Sequence, residues 1–247
     1  MPQQRKQDFR TRTAQLRRAR TRKKLLDAAF RLINECGVDC VSIDDVRAAA
    51  GFSRGSFYNY FSTFQAMLEE MAGLIATQIN REQSQYFDKL DDMAARLGQN
   101  FRYFVLRAAS DKPCGDILIR VIPLVGPLTA HMRGHIHQEM DNAVRSGAID
   151  VPSVDVSLEV GNGLVAVMIR RALASGINRR ELSAATFMLL RAMGVSLAKA
   201  KEISVMRLPR IPSTPLGDSI IREQFGDFQT RNGLQLLSQP APSTGNI

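Results

Sequence analysis

The chain has 247 residues, of which 45% are hydrophobic and 23% charged, the balance of a globular protein rather than a disordered or fibrous one. Its longest apolar run, "GLVAVMI", stops at Arg170 and Arg171, well short of the roughly 20 residues a membrane span needs. Three cysteines do not make a disulfide framework, and no apolar segment follows the basic N-terminus as in a secretory signal, so we expect a cytoplasmic protein. The net charge of +9 is concentrated in one place: residues 1–31 hold eleven Lys and Arg against Asp8 and Asp27, and the rest of the chain is neutral. Such asymmetry marks a partner with dense negative charge.

Residues 1–19 carry Arg5, Lys6, Arg10, Arg12, Arg17 and Arg18 with no apolar stripe, and are expected to form a flexible basic arm that tracks phosphates. A helical period starts near Arg20, with Leu26, Ala29, Phe30 and Ile33 on one face, and Gly37 is placed to end that helix. Ser42 with Asp45 three residues on reads as a capping box for a short helix, "IDDVRAAA". Gly51 stops it, and Ser53 is placed to cap a third. Long helix, short helix, tight turn and short helix is the order of a helix-turn-helix unit, expected over residues 20–66.

The stretch "GFSRGSFYNYF", residues 51–61, concentrates aromatic rings in a chain only 6% aromatic. At about 100° per residue, Phe57 and Phe61 share a face and point inward toward Val46 and Ala49. The outward set is Ser53, Arg54, Gly55, Ser56, Tyr58 and Asn59, with Tyr60 at the edge; Ser42 joins them as a candidate DNA contact. A helical glycine such as Gly55 costs about 1 kcal/mol against alanine and suits a surface that a DNA backbone approaches closely. Arg54 is expected to extend toward phosphate or guanine, and Tyr58 and Tyr60 to offer hydroxyls to phosphates.

Residues 21–68, from "TRKKLLDAAF" through "GFSRGSFYNYFSTFQAML", resemble the DNA-binding domain of the TetR family of bacterial transcriptional regulators. The likeness covers about a fifth of the chain. It departs at Phe64, where the family commonly has a phosphate-binding lysine at the start of the fourth helix. The resemblance implies a helical ligand-binding and dimerisation domain, here residues 67–205, with a ligand cavity between 64 and 150. It also implies a homodimer made through helices near 154–174 and 180–202.

The later periodicity agrees with an all-α chain. Phe64, Met67, Leu68, Met71, Ile75 and Ile79 make one stripe, and Leu90, Met93, Ala94, Leu97, Phe101, Phe104, Val105 and Ala108 another. Helices are expected near 128–146, 154–174 and 180–202, after a break at Pro123, Gly126 and Pro127. Small residues in the last two, including Gly161, Gly163, Ala184 and Gly194, fit close helix contact. Residues 206–247 turn rich in Pro, Ser, Gly and Gln and are expected to be a largely disordered tail, with a short helix near "IIREQFGDF".

No catalytic constellation can be assembled, so no enzyme, cofactor or metal is expected. His131 and His135 lie one helical turn apart but lack a third ligand nearby. Cys36 and Cys40 are expected to be small buried residues. The function expected is a homodimeric, ligand-responsive transcriptional regulator, a repressor released from a pseudo-palindromic operator on double-stranded DNA by a largely apolar small-molecule effector. An architectural nucleic-acid binder of low specificity is the alternative.

Overall fold

The computed structural model describes residues 2–125 and 130–225, with side chains left out at 2–14, 124–125, 130–135, 221 and 224–225. Every regular element among the described residues is helical. The N-terminal unit comprises α1 (Pro2–Cys36), a single 3₁₀ turn (Val38–Cys40), α2 (Ile43–Ala50) and α3 (Arg54–Tyr58). The larger unit comprises α4 (Phe64–Phe87), α5 (Met93–Ala109), α6 (Lys112–Val125), α7 (Ala130–Arg145), α8 (Val154–Ser175), α9 (Arg179–Ala192), α10 (Leu197–Val205) and α11 (Leu216–Phe225).

In the N-terminal unit Leu26, Ala29, Phe30 and Ile33 of α1 are buried together with Val46, Phe57 and Phe61. Ala49 is exposed instead of joining them, because so short a helix buries only one line of residues and Val46 occupies it. The helix starting near Arg20 is corrected as well: α1 is continuous from Pro2. Residues 3–20 contain no glycine or proline and are rich in Arg and Gln, good helix formers that need no apolar stripe to extend an existing helix. The basic segment is thus a helical prolongation of α1.

The larger unit is built on α4, α5, α6 and α8, which pack on one another, with α9 and α10 closing over α5. Gly98 of α5 allows that close approach, since a Cβ there would lie 2.6 Å from Cγ2 of Ile203 on α10. The helix expected over 180–202 is two, α9 and α10. Gly194 breaks it at φ 76°, and a Cβ at that position would fall 2.2 Å from the Asp150 carbonyl oxygen. Gly194 is therefore required by the turn and not by helix packing.

The interior also holds charge. Arg107, 1% exposed, donates to both oxygens of Glu82 at 2.7 and 3.0 Å, and the Tyr103 hydroxyl donates to the same carboxylate at 3.1 Å. This ties α5 to α4, and burial with the adjacent Glu82 charge pushes the Tyr103 hydroxyl well above its ordinary pKa.

Residues 206–225 are not a tail. The Met206 carbonyl accepts from buried Arg102 at 2.6 Å, and α11 docks against α1, α4 and α6. Leu216 and Ile220 are fully buried, the Gly217 N–H donates to Asp111 at 2.9 Å, and Glu223 accepts from Gln78 and pairs with Arg81. The Pro- and Ser-rich composition describes the irregular segment leading to α11, while the Leu216/Ile220 pair supplies the anchor. The remainder of the expected tail, 226–247, lies outside the described residues.

Candidate nucleic-acid interface and ligand cavity

The N-terminal surface is held by caps. The Ser42 hydroxyl accepts from the Asp45 N–H at 3.3 Å while Asp45 accepts from the Ser42 N–H at 2.9 Å, the capping box expected for α2. Gly51 ends α2 at φ 74°, with its N–H bonded to the Ala48 carbonyl, a left-handed position where a side chain would be strained. Ser53 caps α3, accepting from the Ser56 N–H at 3.2 Å. The hydroxyls of Ser42 and Ser53 are accordingly committed to local structure, although both residues are exposed.

On α3 the inward and outward sets separate. Phe57 is fully buried and Phe61 nearly so, their ring centroids 5.7 Å apart. Tyr58 is 51% exposed and lies edge-on to Phe57. Arg54, Gly55 and Asn59 are exposed and Ser56 is half-buried; nothing lies within 4 Å of where a Gly55 Cβ would stand. Tyr60 is half-buried against the core.

Arg54 is exposed and has a partner on the neighbouring helix. It pairs with Asp44 of α2, which also accepts from Arg47 at 2.6 Å. Hydrogen bonds from Arg47 and Arg54 hold the Asp44 carboxyl below its ordinary pKa. Arg54 thus links α2 to α3 across the turn in the free protein, a role invisible to helical periodicity because the partners are ten residues apart.

The basic segment reaches the same surface. Arg18 donates to the Asn59 carbonyl at 3.4 Å and its guanidinium lies 6.0 Å from the Tyr60 ring centre. Arg22 stacks over Phe61 at 4.7 Å and pairs with Glu70 of α4. Arg17 is exposed. Arg5, Lys6, Arg10 and Arg12 lie on the described helix α1, but their side chains are outside the described residues. Phe64, where the resemblance led one to look for a lysine, packs against the core as the first residue of α4.

A second site lies in the larger unit. A cavity of about 550 Å³ opens between α4, α5, α7, α8 and α9. Its walls are apolar at Leu97, Phe101, Phe104, Leu158, Val165 and Leu189, and polar at Gln83, Arg96, Asn100, Glu139 and Asn162. Sequence reading named no ligand residues. Asn100 was nonetheless legible, since it falls on the same helical face as Leu97, Phe101 and Phe104. The "EVGNGL" segment, read as helix packing, places Gly161 and Asn162 in the cavity wall, while Gly163 faces open space. The side chains of His131 and His135 lie outside the described residues. Cys36 and Cys40 are exposed, not buried, since both sit beyond the buried face of α1. No group of His, Cys, Asp and Glu able to hold a metal occurs among the described residues.

Comparison with known proteins agrees with this geometry. Residues 25–71 match the family described as bacterial regulatory proteins, tetR family. An uncharacterised HTH-type transcriptional regulator of Bacillus subtilis (strain 168), YvdT, is 41% identical over 54 residues, spanning 22% of this chain and only 28% of the relative. Among solved structures, RolR in complex with resorcinol superposes with a TM-score of 0.68 at 25% identity, covering 80% of this chain and 99% of RolR. RolR without ligand gives a TM-score of 0.63 at 25% identity, over 76% and 99% of the two chains.

Proposed function

From a chain whose residues 25–71 match the tetR family of bacterial regulatory proteins, we propose a homodimeric transcriptional repressor that a small molecule releases from a two-fold operator. The observation that carries the reading is the division of α3 into a buried face, Phe57, and an outward face of Arg54, Gly55, Tyr58 and Asn59. Gly55 leaves the backbone open to close approach, and exposed Tyr58 carries a hydroxyl of the kind that meets phosphate. Seven basic side chains within residues 1–20 add the sequence-independent attraction.

Dimerisation is supported by an apolar stripe that is exposed among the described residues. Val156, Val160 and Val167 on α8 and Met188 on α9 are more than half exposed, and exposed Gly163 and Ala184 continue the two faces at helical spacing. Burying such a stripe against its copy would set two α3 helices to face successive turns of a duplex. Ligand response is supported by the cavity and by the likeness to RolR, whose structure is a complex with resorcinol. A ligand acts by binding one dimer conformation more tightly than the other, shifting the separation of the α3 pair.

Footprinting the full chain on DNA flanking its gene tests the proposal. A discrete protected site with two-fold symmetry, released by a cavity ligand, is the expected result. Uniform coating of any duplex would instead favour a low-specificity architectural binder.

A further inference from the structure

We propose that Cys36 and Cys40 are a redox pair: a hydroperoxide joins them in an intrachain disulfide, and the bridged chain holds its operator less tightly. The bridge depends on the two thiols alone, while its effect on DNA rests on the reading above. Of the three cysteines, Cys114 is buried and these two are exposed, against the usual preference of free cysteine for the interior. Cys36 is the last residue of α1 and Cys40 the last of the 3₁₀ turn, which packs back on α1. Both close around one carbonyl: the Gly37 oxygen accepts from the Cys40 N–H at 3.3 Å and lies 3.8 Å from the Cys36 sulfur. The two side chains are within hydrogen-bond reach of each other. Gly37 makes the reversal possible, with φ 86° at the end of α1, and buried Val38 and Val41 hold the turn against the core. A bridge then needs only a short approach of the two sulfurs, with the Cys36 thiol leaving the Leu32 carbonyl to which it donates at 3.3 Å.

The chemistry is complete with hydrogen peroxide as oxidant. The Cys40 thiolate attacks one peroxide oxygen, an S–O bond forms and the O–O bond breaks. Hydroxide leaves, takes up the proton that Cys40 had released and becomes water, and Cys40 is left as a sulfenic acid. The Cys36 sulfur then attacks the Cys40 sulfur, the S–S bond forms, the S–O bond breaks, and hydroxide departs as water with the Cys36 proton. Two thiols have thus given two electrons and two protons to one peroxide. The order follows from Cys36: partial desolvation, the adjacent Cys40 thiol, and the charges of Asp45 and Glu35 raise its pKa. It meets a dilute oxidant poorly and suits the second step, where its target is alongside. The effect reaches α2 along the chain. Ser42, the cap of α2, follows Cys40 by two residues, and Asp39 between the cysteines pairs with Arg120 of α6. Drawing Cys40 toward the end of α1 moves both, and with α2 goes Asp44, to which Arg54 of α3 is paired.

The test treats the reduced full chain with hydrogen peroxide, blocks remaining thiols with iodoacetamide in denaturant, and maps the peptides by mass spectrometry. The expected result is one blocked thiol, at Cys114, and a peptide holding Cys36 and Cys40 that is lighter by two hydrogens until dithiothreitol restores it. Operator affinity should fall at least about fivefold on oxidation and recover on reduction. Cys36→Ser and Cys40→Ser alter exposed positions and should melt with the parent. Each should bind the operator like the reduced chain with or without peroxide, which sets the bridge apart from methionine oxidation elsewhere. Three thiols still open to iodoacetamide, a sulfinic acid at either position, or a bridge between two chains overturns the proposal. So does operator binding that the bridge leaves unchanged, or peroxide sensitivity that survives in both variants. A reduced chain that protects no discrete site on DNA sinks the repressor reading instead, while the peptide map decides the bridge by itself.

Discussion

The α2/α3 surface and the cavity wall treat polar groups in opposite ways. On α2 and α3 the Ser42, Asp45, Ser53, Asp44 and Arg54 side chains are all hydrogen-bonded to one another or to a helix end. Around the cavity Gln83, Asn100 and Asn162 each keep a buried atom unbonded. A surface that must meet a rigid duplex gains from being fixed beforehand, because ordering it on binding would weaken the complex. A cavity that a small molecule enters and leaves has no such rigid partner to match. The difference separates a preformed site from an unfinished one.

The largest effects should come from breaking what is already complete in either half. Phe57→Ala empties the centre of the N-terminal unit and should cost about 3–5 kcal/mol. Glu82→Ala leaves Arg107 buried and unpaired and should cost a similar ~3–5 kcal/mol in the other half. Denaturant melts of both variants check this. A Glu82→Ala protein as stable as the parent would mean that the ligand unit tolerates unpaired charge as well as unpaired amides.

Next in size is the joint between the halves. Leu216→Ala should cost about 2–5 kcal/mol by removing a fully buried side chain of α11. Because α11 touches α1, α4 and α6, truncation after Val205 should also lessen the effect of a ligand on DNA affinity. Measuring operator affinity with and without ligand in the truncated chain checks it. An unchanged ratio would remove α11 from the coupling.

The smallest effects are electrostatic. Asp44 has a lowered folded pKa, so its contribution is present above the ordinary carboxylate value of about 3.9 and is lost as pH falls through the folded one. Stability attributable to the Asp44 pairs should therefore be flat from pH 5 to 8. His137 of α7 runs the other way: hydrogen bonds to Asp155 of α8 at 3.1 Å and to Asp141 at 3.3 Å raise its pKa. Its contribution is complete below about pH 6.5 and is lost as pH rises through the raised folded value. Melting temperature should fall slightly over that rise in the parent and lose that component in His137→Gln.

Periodicity and caps made the N-terminal unit legible: Leu26 through Ile33, the Ser42–Asp45 box and the Phe57/Phe61 pair are local signals, each within about two helical turns. The same local reading missed features that depend on distant partners. The helix over Arg5–Arg18 has no apolar stripe, and Arg18 at its end meets Asn59 and Tyr60, about forty residues on. The Arg54–Asp44 pair spans a turn, and the anchoring of Leu216 and Ile220 joins α11 to α1, α4 and α6. The split at Gly194 is set by the approach of Asp150, which no nearby residue announces. The cavity amides lay between these cases. Asn100 interrupts an apolar face and Asn162 sits between two glycines, but only the fold brings them to one space.

The central claim is that α3 reads DNA while the basic segment of α1 attracts it. The direct measurement is the affinity of the full chain and of Tyr58→Ala across a salt series, on the selected operator and on a scrambled duplex. Tyr58 is exposed, so the variant should melt with the parent. It should lose about 1–3 kcal/mol on the operator and much less on the scrambled duplex. The slope of log affinity against log salt, about −0.9 for each phosphate neutralised by a cation, should stay the same. An unchanged ratio of operator to scrambled affinity in Tyr58→Ala would contradict the assignment of α3 as the reading surface.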